Sequence, residues 1–107
     1  MGTSLHFFLM MLAWFSIGLL LPSAAAGSAG VRGLALTNAC AACHGPDGRS
    51  QGGIPSIDQL STEEFIATLK AFRADARKGT VMNRIAKGVD DAEISAMAAH
   101  FAAQQGR

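Results

Sequence analysis

The sequence predicts one small all-α domain. Three observations carry that prediction. Two segments open with a side chain placed to cap a helix and continue with apolar residues at helical spacing; a third segment is a run rich in Ala and Leu; and no segment alternates apolar and polar residues with period two. The 107 residues leave room for one domain, and there is no internal repeat.

The chain begins with an apolar run, Leu5 to Leu21, followed by Pro22 and the small-residue string Ser23-Ala24-Ala25-Ala26-Gly27. This pattern is that of an export leader cleaved after Ala26, although no Lys or Arg precedes the run and only His6 and the amino terminus could supply the positive start. A membrane-spanning helix needs about 20 apolar residues and charged flanks. The run is slightly short and its flanks carry no charge, so residues 1–26 are expected to be a signal peptide and 27–107 the folded domain. Export implies a periplasmic protein with no stable membrane insertion after cleavage.

Val31 to Ala42 is expected to form a short helix carrying Leu34 and Leu36. Gly45-Pro46-Asp47-Gly48 breaks it, and Arg49 to Ile57 is a loop bearing Gly and Ser. Ser61-Thr62-Glu63-Glu64 is a capping box, with Leu60 and Phe65 spaced as a hydrophobic staple. Phe65, Leu69 and Phe72 then lie on one helical face, and the helix should fade over Asp75 to Gly79. A short helical turn is expected from Arg84 to Lys87. Asp90 and Glu93 form a second box with Val89 and Ile94 as its staple, and Ile94, Met97, Ala98 and Phe101 line the last helix, Asp91 to Gln104.

Every charged residue lies beyond position 26, so the folded part keeps the formal net charge of +1. That balance argues against nucleic-acid binding. The same part has no Trp or Tyr and only Phe65, Phe72 and Phe101, a sparse supply for a core. Domains this small commonly need a disulfide, a metal or a cofactor as a staple. A cofactor that replaces core should leave the apoprotein poorly folded.

The two cysteines fall in Cys40-Ala41-Ala42-Cys43-His44, the C-x-x-C-H signature of covalent haem attachment. Two thiols at this spacing add across the two vinyl groups of one haem, and the next residue presents an imidazole to the iron. Cys40 and Cys43 are thus the expected attachment residues and His44 the proximal metal ligand of one haem c. A thioredoxin-like pair would sit near a βαβ pattern, which is missing; a four-ligand zinc site would need more Cys or His than His100 supplies; and a disulfide would close a very small loop and leave His44 without a role. Met82, Met97 and His100 are the candidates for a second axial ligand. Met97 falls on the apolar face of the last helix, where methionine usually fills core. Met82, between the Gly79-Thr80 break and the Arg84 turn, is the better placed.

The segments Cys40 to Gly48, Ile54-Pro55-Ser56-Ile57, Thr80 to Gly88 and Met97-Ala98-Ala99-His100-Phe101 resemble the small bacterial class I cytochromes c. The Pro-Ser-Ile stretch and Met82-Asn83-Arg84-Ile85-Ala86-Lys87-Gly88 are most similar to the one-haem cytochrome subunits of flavocytochrome c sulfide dehydrogenases. The resemblance covers nearly all of 27–107. It implies three to four helices wrapped around one haem, the first and last crossing; Met82 as the distal sulfur ligand; and the Pro55 carbonyl accepting a hydrogen bond from His44, which would set its tautomer. The family usually has an aromatic residue where His100 stands, so His100 is read as a packing residue.

A six-coordinate His44/Met82 iron has no open position, which leaves single-electron transfer. The resemblance implies a redox partner, specifically a sulfide-oxidising flavoprotein subunit, in which case the chain would be the haem subunit rather than the catalytic one. A free-standing periplasmic carrier with another donor is the alternative, and a haem gas sensor or small peroxidase would require a labile sixth ligand. Lys70, Arg73, Arg77, Lys78, Arg84 and Lys87 face a single acid, Asp75, within their span, and this basic band is expected to steer an acidic partner.

Overall fold

The computed structural model describes residues 24–106, and the expected leader run Leu5–Leu21 lies outside them. The described residues form four α-helices and no strand: α1 (Ala24–His44), α2 (Thr62–Arg73), α3 (Met82–Ala86) and α4 (Asp91–Gln104), with a 3-10 turn at Pro46–Gly48 between α1 and α2. The last helix has the bounds expected from its capping box. Two others differ: α1 extends beyond Val31–Ala42 at both ends, and α3 begins at Met82, two residues before Arg84.

The buried stripe of α1 is made of small residues. Gly33 and Thr37 are buried, with Leu36 and Cys40 partly covered, a spacing that puts all four on one face. Leu34, the larger apolar residue beside this stripe, is 51% exposed. The reason is the close approach of α4: a Cβ built on Gly33 would overlap the Cβ of Ala96 and lie 3.3 Å from the Glu93 carbonyl. Thr37 fits the same tight face because its hydroxyl donates to the Leu34 carbonyl at 2.6 Å, which satisfies the polar atom within the helix. Arg32 Nε closes the contact with a 2.7 Å ion pair to Glu93 Oε1.

Both capping boxes are formed. Ser61 Oγ accepts from the Glu64 N–H at 3.2 Å while Glu64 Oε2 accepts from the Ser61 N–H at 2.8 Å, and Asp90 and Glu93 repeat the exchange at 2.8 and 2.9 Å. Each box satisfies backbone donors that a helix start otherwise leaves unpaired. The capped helices then bury the expected faces: Phe65, Leu69 and Phe72 from α2 and Ile94, Met97, Ala98 and Phe101 from α4, joined by Ala86 of α3. The Phe65 and Phe101 rings lie 5.5 Å apart at 33°.

Helix α4 is the shared surface, since α1 and α2 both pack on it and α3 packs on α2. Leu36, Cys40, Ile57, Leu60, Met82 and Val89 border the core. Two side chains singled out for a cofactor, Cys40 and Met82, therefore flank one apolar cluster from opposite ends of the fold's sequence.

Candidate haem and electron-transfer site

Cys40, Cys43 and His44 occupy the last turn and a half of α1. Their i, i+3, i+4 spacing stacks them on one side of the helix, with the imidazole one turn beyond the first thiol. Cys40 is partly buried and Cys43 exposed, and both are free rather than joined in a disulfide. Burial pushes the Cys40 thiol above its usual pKa of 9.0, a rise opposed by its own backbone hydrogen bond and reinforced by Cys43.

The helix stops at once after His44. Gly45 has φ 89°, Asp47 φ 54° and Gly48 φ 79°, so the chain turns back through three left-handed residues in four. The Gly48 carbonyl accepts from the Ile57 and Asp58 N–H groups at 2.8 and 3.2 Å, which closes the neck of the 49–56 loop. Within it the Ser50 N–H donates to Ser56 Oγ at 2.9 Å. This closure brings the Pro55 carbonyl to 2.5 Å from His44 Nδ1. A carbonyl can only accept, so Nδ1 carries the hydrogen of this bond, and in the neutral imidazole Nε2 is then the nitrogen with the lone pair a metal requires. Such a bond fixes ring orientation and raises ligand basicity.

Met82 opens α3 and is partly buried against the core. The preceding loop presses on it closely, because a Cβ on Gly79 would lie 2.9 Å from Phe72 Cε1 and 3.3 Å from Met82 Cβ. The other two candidates for an axial position are engaged elsewhere. Met97 is 2% exposed inside the core. The His100 ring packs edge-on to Phe101 at 5.4 Å, and its Nε2 lies 3.3 Å from the Gln104 side-chain amide.

The residues fit a haem on two grounds. The donor set, thiol, thiol, imidazole and thioether, is that of covalent haem c with nitrogen and sulfur ligation. Exposed apolar side chains neighbour these residues along the chain: Ile54, next to Pro55, is 44% exposed, Val81, next to Met82, is 55% and Ile85, one turn after Met82, is 50%. A flat apolar macrocycle against these residues would cover surface that water otherwise wets.

Part of the basic band is paired, with two carboxylates set against its six cations. Lys70 and Arg73 both pair with Asp91, Lys70 at 3.0 Å, and Lys87 pairs with Asp75 at 2.6 Å. The Arg77 guanidinium sits 5.0 Å above the Phe72 ring. Among the described residues, only Lys78 and Arg84 of the six make no ion pair or ring contact. The sequence count missed Asp91 as a partner, because it lies outside the band. Two further polar groups escaped the sequence reading: Asn83, hydrogen-bonded across the loop before it, and Asp58, buried with Arg49 Nε at 3.1 Å.

An all-α fold whose first helix ends in C-x-x-C-H, with an imidazole oriented by a backbone carbonyl, defines the class of small c-type haem proteins. The chain belongs to the cytochrome c family, whose profile matches residues 29–104. It is 44% identical over 70 residues to the cytochrome subunit of sulfide dehydrogenase of Chlorobaculum tepidum, across 65% of this chain and 64% of that relative. It is 35% identical over 69 residues to cytochrome c-553 of Helicobacter pylori, across 63% of this chain and 72% of the relative. To the thiosulfate dehydrogenase electron acceptor of Stutzerimonas stutzeri it is 37% identical over 67 residues, spanning only 31% of that protein. The cofactor is a covalently attached haem c with iron, which the Cys40/Cys43 pair fits, and the chemistry is electron transfer. Among the described residues no helix is long and apolar enough to cross a membrane.

Proposed function

We propose that this chain is a periplasmic haem subunit that accepts single electrons from a sulfide-oxidising flavoprotein partner and passes them to a second redox protein. Residues 1–26 serve as its export leader and 27–107 as the cytochrome domain. Cys40 and Cys43 form the two thioether links, His44 Nε2 binds one side of the iron and the Met82 sulfur the other. The bound haem supplies a one-electron couple. The protein supplies what controls it: the Pro55 carbonyl holds the proton on His44 Nδ1, thioether ligation and burial favour the reduced form, and exposed Ile54, Val81 and Ile85 give an apolar rim against which a partner can exclude water.

The observation that supports the ligand assignment is the His44–Pro55 hydrogen bond, because in the neutral ring it places the hydrogen on Nδ1 and leaves Nε2 as the lone-pair nitrogen. The sulfide link is supported by the 44% identity to a cytochrome subunit of sulfide dehydrogenase. A free-standing carrier is the second reading, favoured by the larger share, 72%, of cytochrome c-553 that aligns.

Purification of the native protein under mild conditions tests the donor. A flavin-containing chain that accompanies the cytochrome, with sulfide reducing the haem only when that chain is present, supports the subunit reading. A cytochrome that elutes alone and is unaffected by sulfide in the cell extract supports the free carrier. Met82→Ala tests the distal ligand: the reduced variant should bind carbon monoxide readily, where the parent does not. Equal binding by both removes Met82 from the iron.

A further inference from the structure

Asn83 follows Met82 directly, and its side-chain amide is the centre of the segment that presents Met82. Nδ2 lies 3.1 Å from the Phe72 carbonyl, 3.2 Å from Asp75 Oδ1 and 2.7 Å from the Arg77 carbonyl. Oδ1 accepts from the Gly79 N–H at 2.8 Å. An amide nitrogen has two hydrogens, so the three acceptors share them, with Arg77 at the shortest distance. One side chain thus gathers the end of α2, the left-handed residue Asp75, Arg77 and Gly79, spanning the loop 74–81 from end to end.

The loop has little else to fix it. Its backbone bonds lie at its two ends, where Ala74, Asp75, Ala76 and Arg77 donate back to Lys70, Phe72 and Ala71 and the Val81 carbonyl accepts from Arg84 and Ile85. Between Lys78 and Val81 the chain is exposed. Helix α3 has five residues and no side-chain cap at Val81, so it cannot hold Met82 by its own stability. Asp75 stiffens the arrangement further: its φ of 57° is uncommon for a residue with a side chain, and its carboxylate bridges Asn83 and Lys87 Nζ, tying the loop to the far end of α3.

We infer that Asn83 is a positioning residue for the distal ligand, a latch that holds the loop 74–81 and the start of α3 so that the Met82 sulfur stays on the iron. The latch rests on the reading of Met82 as that ligand. It sets how readily the sulfur gives way to an outside ligand, a property distinct from the stability of the fold.

The test uses the oxidised holoprotein and its titration with imidazole, followed by loss of the sulfur-to-iron charge-transfer absorption in the far red. Met82→Ala is the reference and should lack that absorption. Asn83→Ala should retain the absorption but bind imidazole about tenfold more tightly, as expected when hydrogen bonds holding the closed form are lost. Ser61→Ala, which weakens α2 at its far end, should leave imidazole affinity unchanged, separating the latch from general destabilisation. Should Asn83→Ala fail to accumulate, Asp75→Gly keeps the left-handed backbone while deleting the shared carboxylate, and should shift the affinity in the same direction by less. Unchanged imidazole affinity in the Asn83 and Asp75 variants, with Met82→Ala behaving as stated, overturns the latch and leaves the ligand intact. A Met82→Ala protein that keeps the absorption overturns the ligand assignment itself.

Discussion

Removing the Arg32 side chain should destabilise the protein far more than its exposure suggests. Arg32 is 69% exposed, but the carboxylate it meets, Glu93, is 3% exposed at the crossing of α1 and α4. One Glu93 oxygen is occupied by the Asp90 N–H at 2.9 Å; the other relies on Arg32 Nε at 2.7 Å. Arg32→Ala strands that second oxygen where water barely reaches. A hydrogen bond to a charged group is worth about 1.5–3 kcal/mol, and breaking a fully buried pair about 3–5 kcal/mol. The guanidinium's wet side brings the expected cost down to about 2 kcal/mol. For a domain this small that corresponds to about 8–16 °C in Tm. Urea unfolding of the oxidised holoprotein, followed by far-ultraviolet circular dichroism, should show a lower midpoint with an unchanged slope. Repeating the substitution on Glu93→Gln isolates the pair: with no carboxylate to strand, Arg32→Ala should cost under about 0.5 kcal/mol. The same cost in both backgrounds would refute the reasoning, since the ion pair would then contribute nothing.

The turn after His44 gives a second prediction. Gly48→Ala forces a side chain onto φ 79° and places its Cβ 2.9 Å from Ile57 Cγ1 and 3.0 Å from Phe101 Cε1, so it should cost about 1–3 kcal/mol in the same unfolding assay; a variant of parental stability would show that the turn relaxes freely. Acid unfolding gives a third. The hydrogen bond from Arg73, then that from Lys70, hold the Asp91 carboxyl below its ordinary 3.8. Its folded pKa is thus lower than its unfolded one, so the unfolded state binds more protons below about pH 4 and the pair's stabilisation, complete above that range, is lost as pH falls through the folded value. Asp91→Asn should flatten the acid limb of stability against pH, most clearly at low salt; a limb of unchanged slope would mean that these exposed pairs contribute no pH dependence.

The parts of the fold legible in the sequence are those whose determinants lie within a few residues of one another. The Ser61–Glu64 and Asp90–Glu93 boxes each join residues three apart, and α2 and α4 begin where those boxes place them. The start of α1 carried no such signal: its first turn holds no acidic residue, and it contains Gly27 and Gly30. Its packing face carried no apolar signal because tight helix crossings select small residues, and Gly33 is the one that meets Ala96 there. Helix α3 begins earlier than expected because its first turn is held by Asn83, whose partners Phe72 and Asp75 lie 11 and 8 positions away. The pairing within the charge band was hidden for a similar reason, as Asp91 reaches Arg73 across 18 positions and Asp75 reaches Lys87 across 12. The C-x-x-C-H run was readable because attachment to a single macrocycle requires fixed local spacing; the support around Met82 was not, because it comes from tertiary contacts.

The reversal after His44 has a consequence for the order of folding. The imidazole and the Pro55 carbonyl are 11 positions apart, and loops of about 10 residues close in roughly 10–100 ns, far faster than distant helices dock. The ring is therefore oriented by residues close to it in the chain, whereas the placement of Met82 waits for α2, α3 and the loop between them. On the proposed assignment of Met82, partial unfolding from that late-forming side would free its sulfur while the His44 ring stays oriented by Pro55.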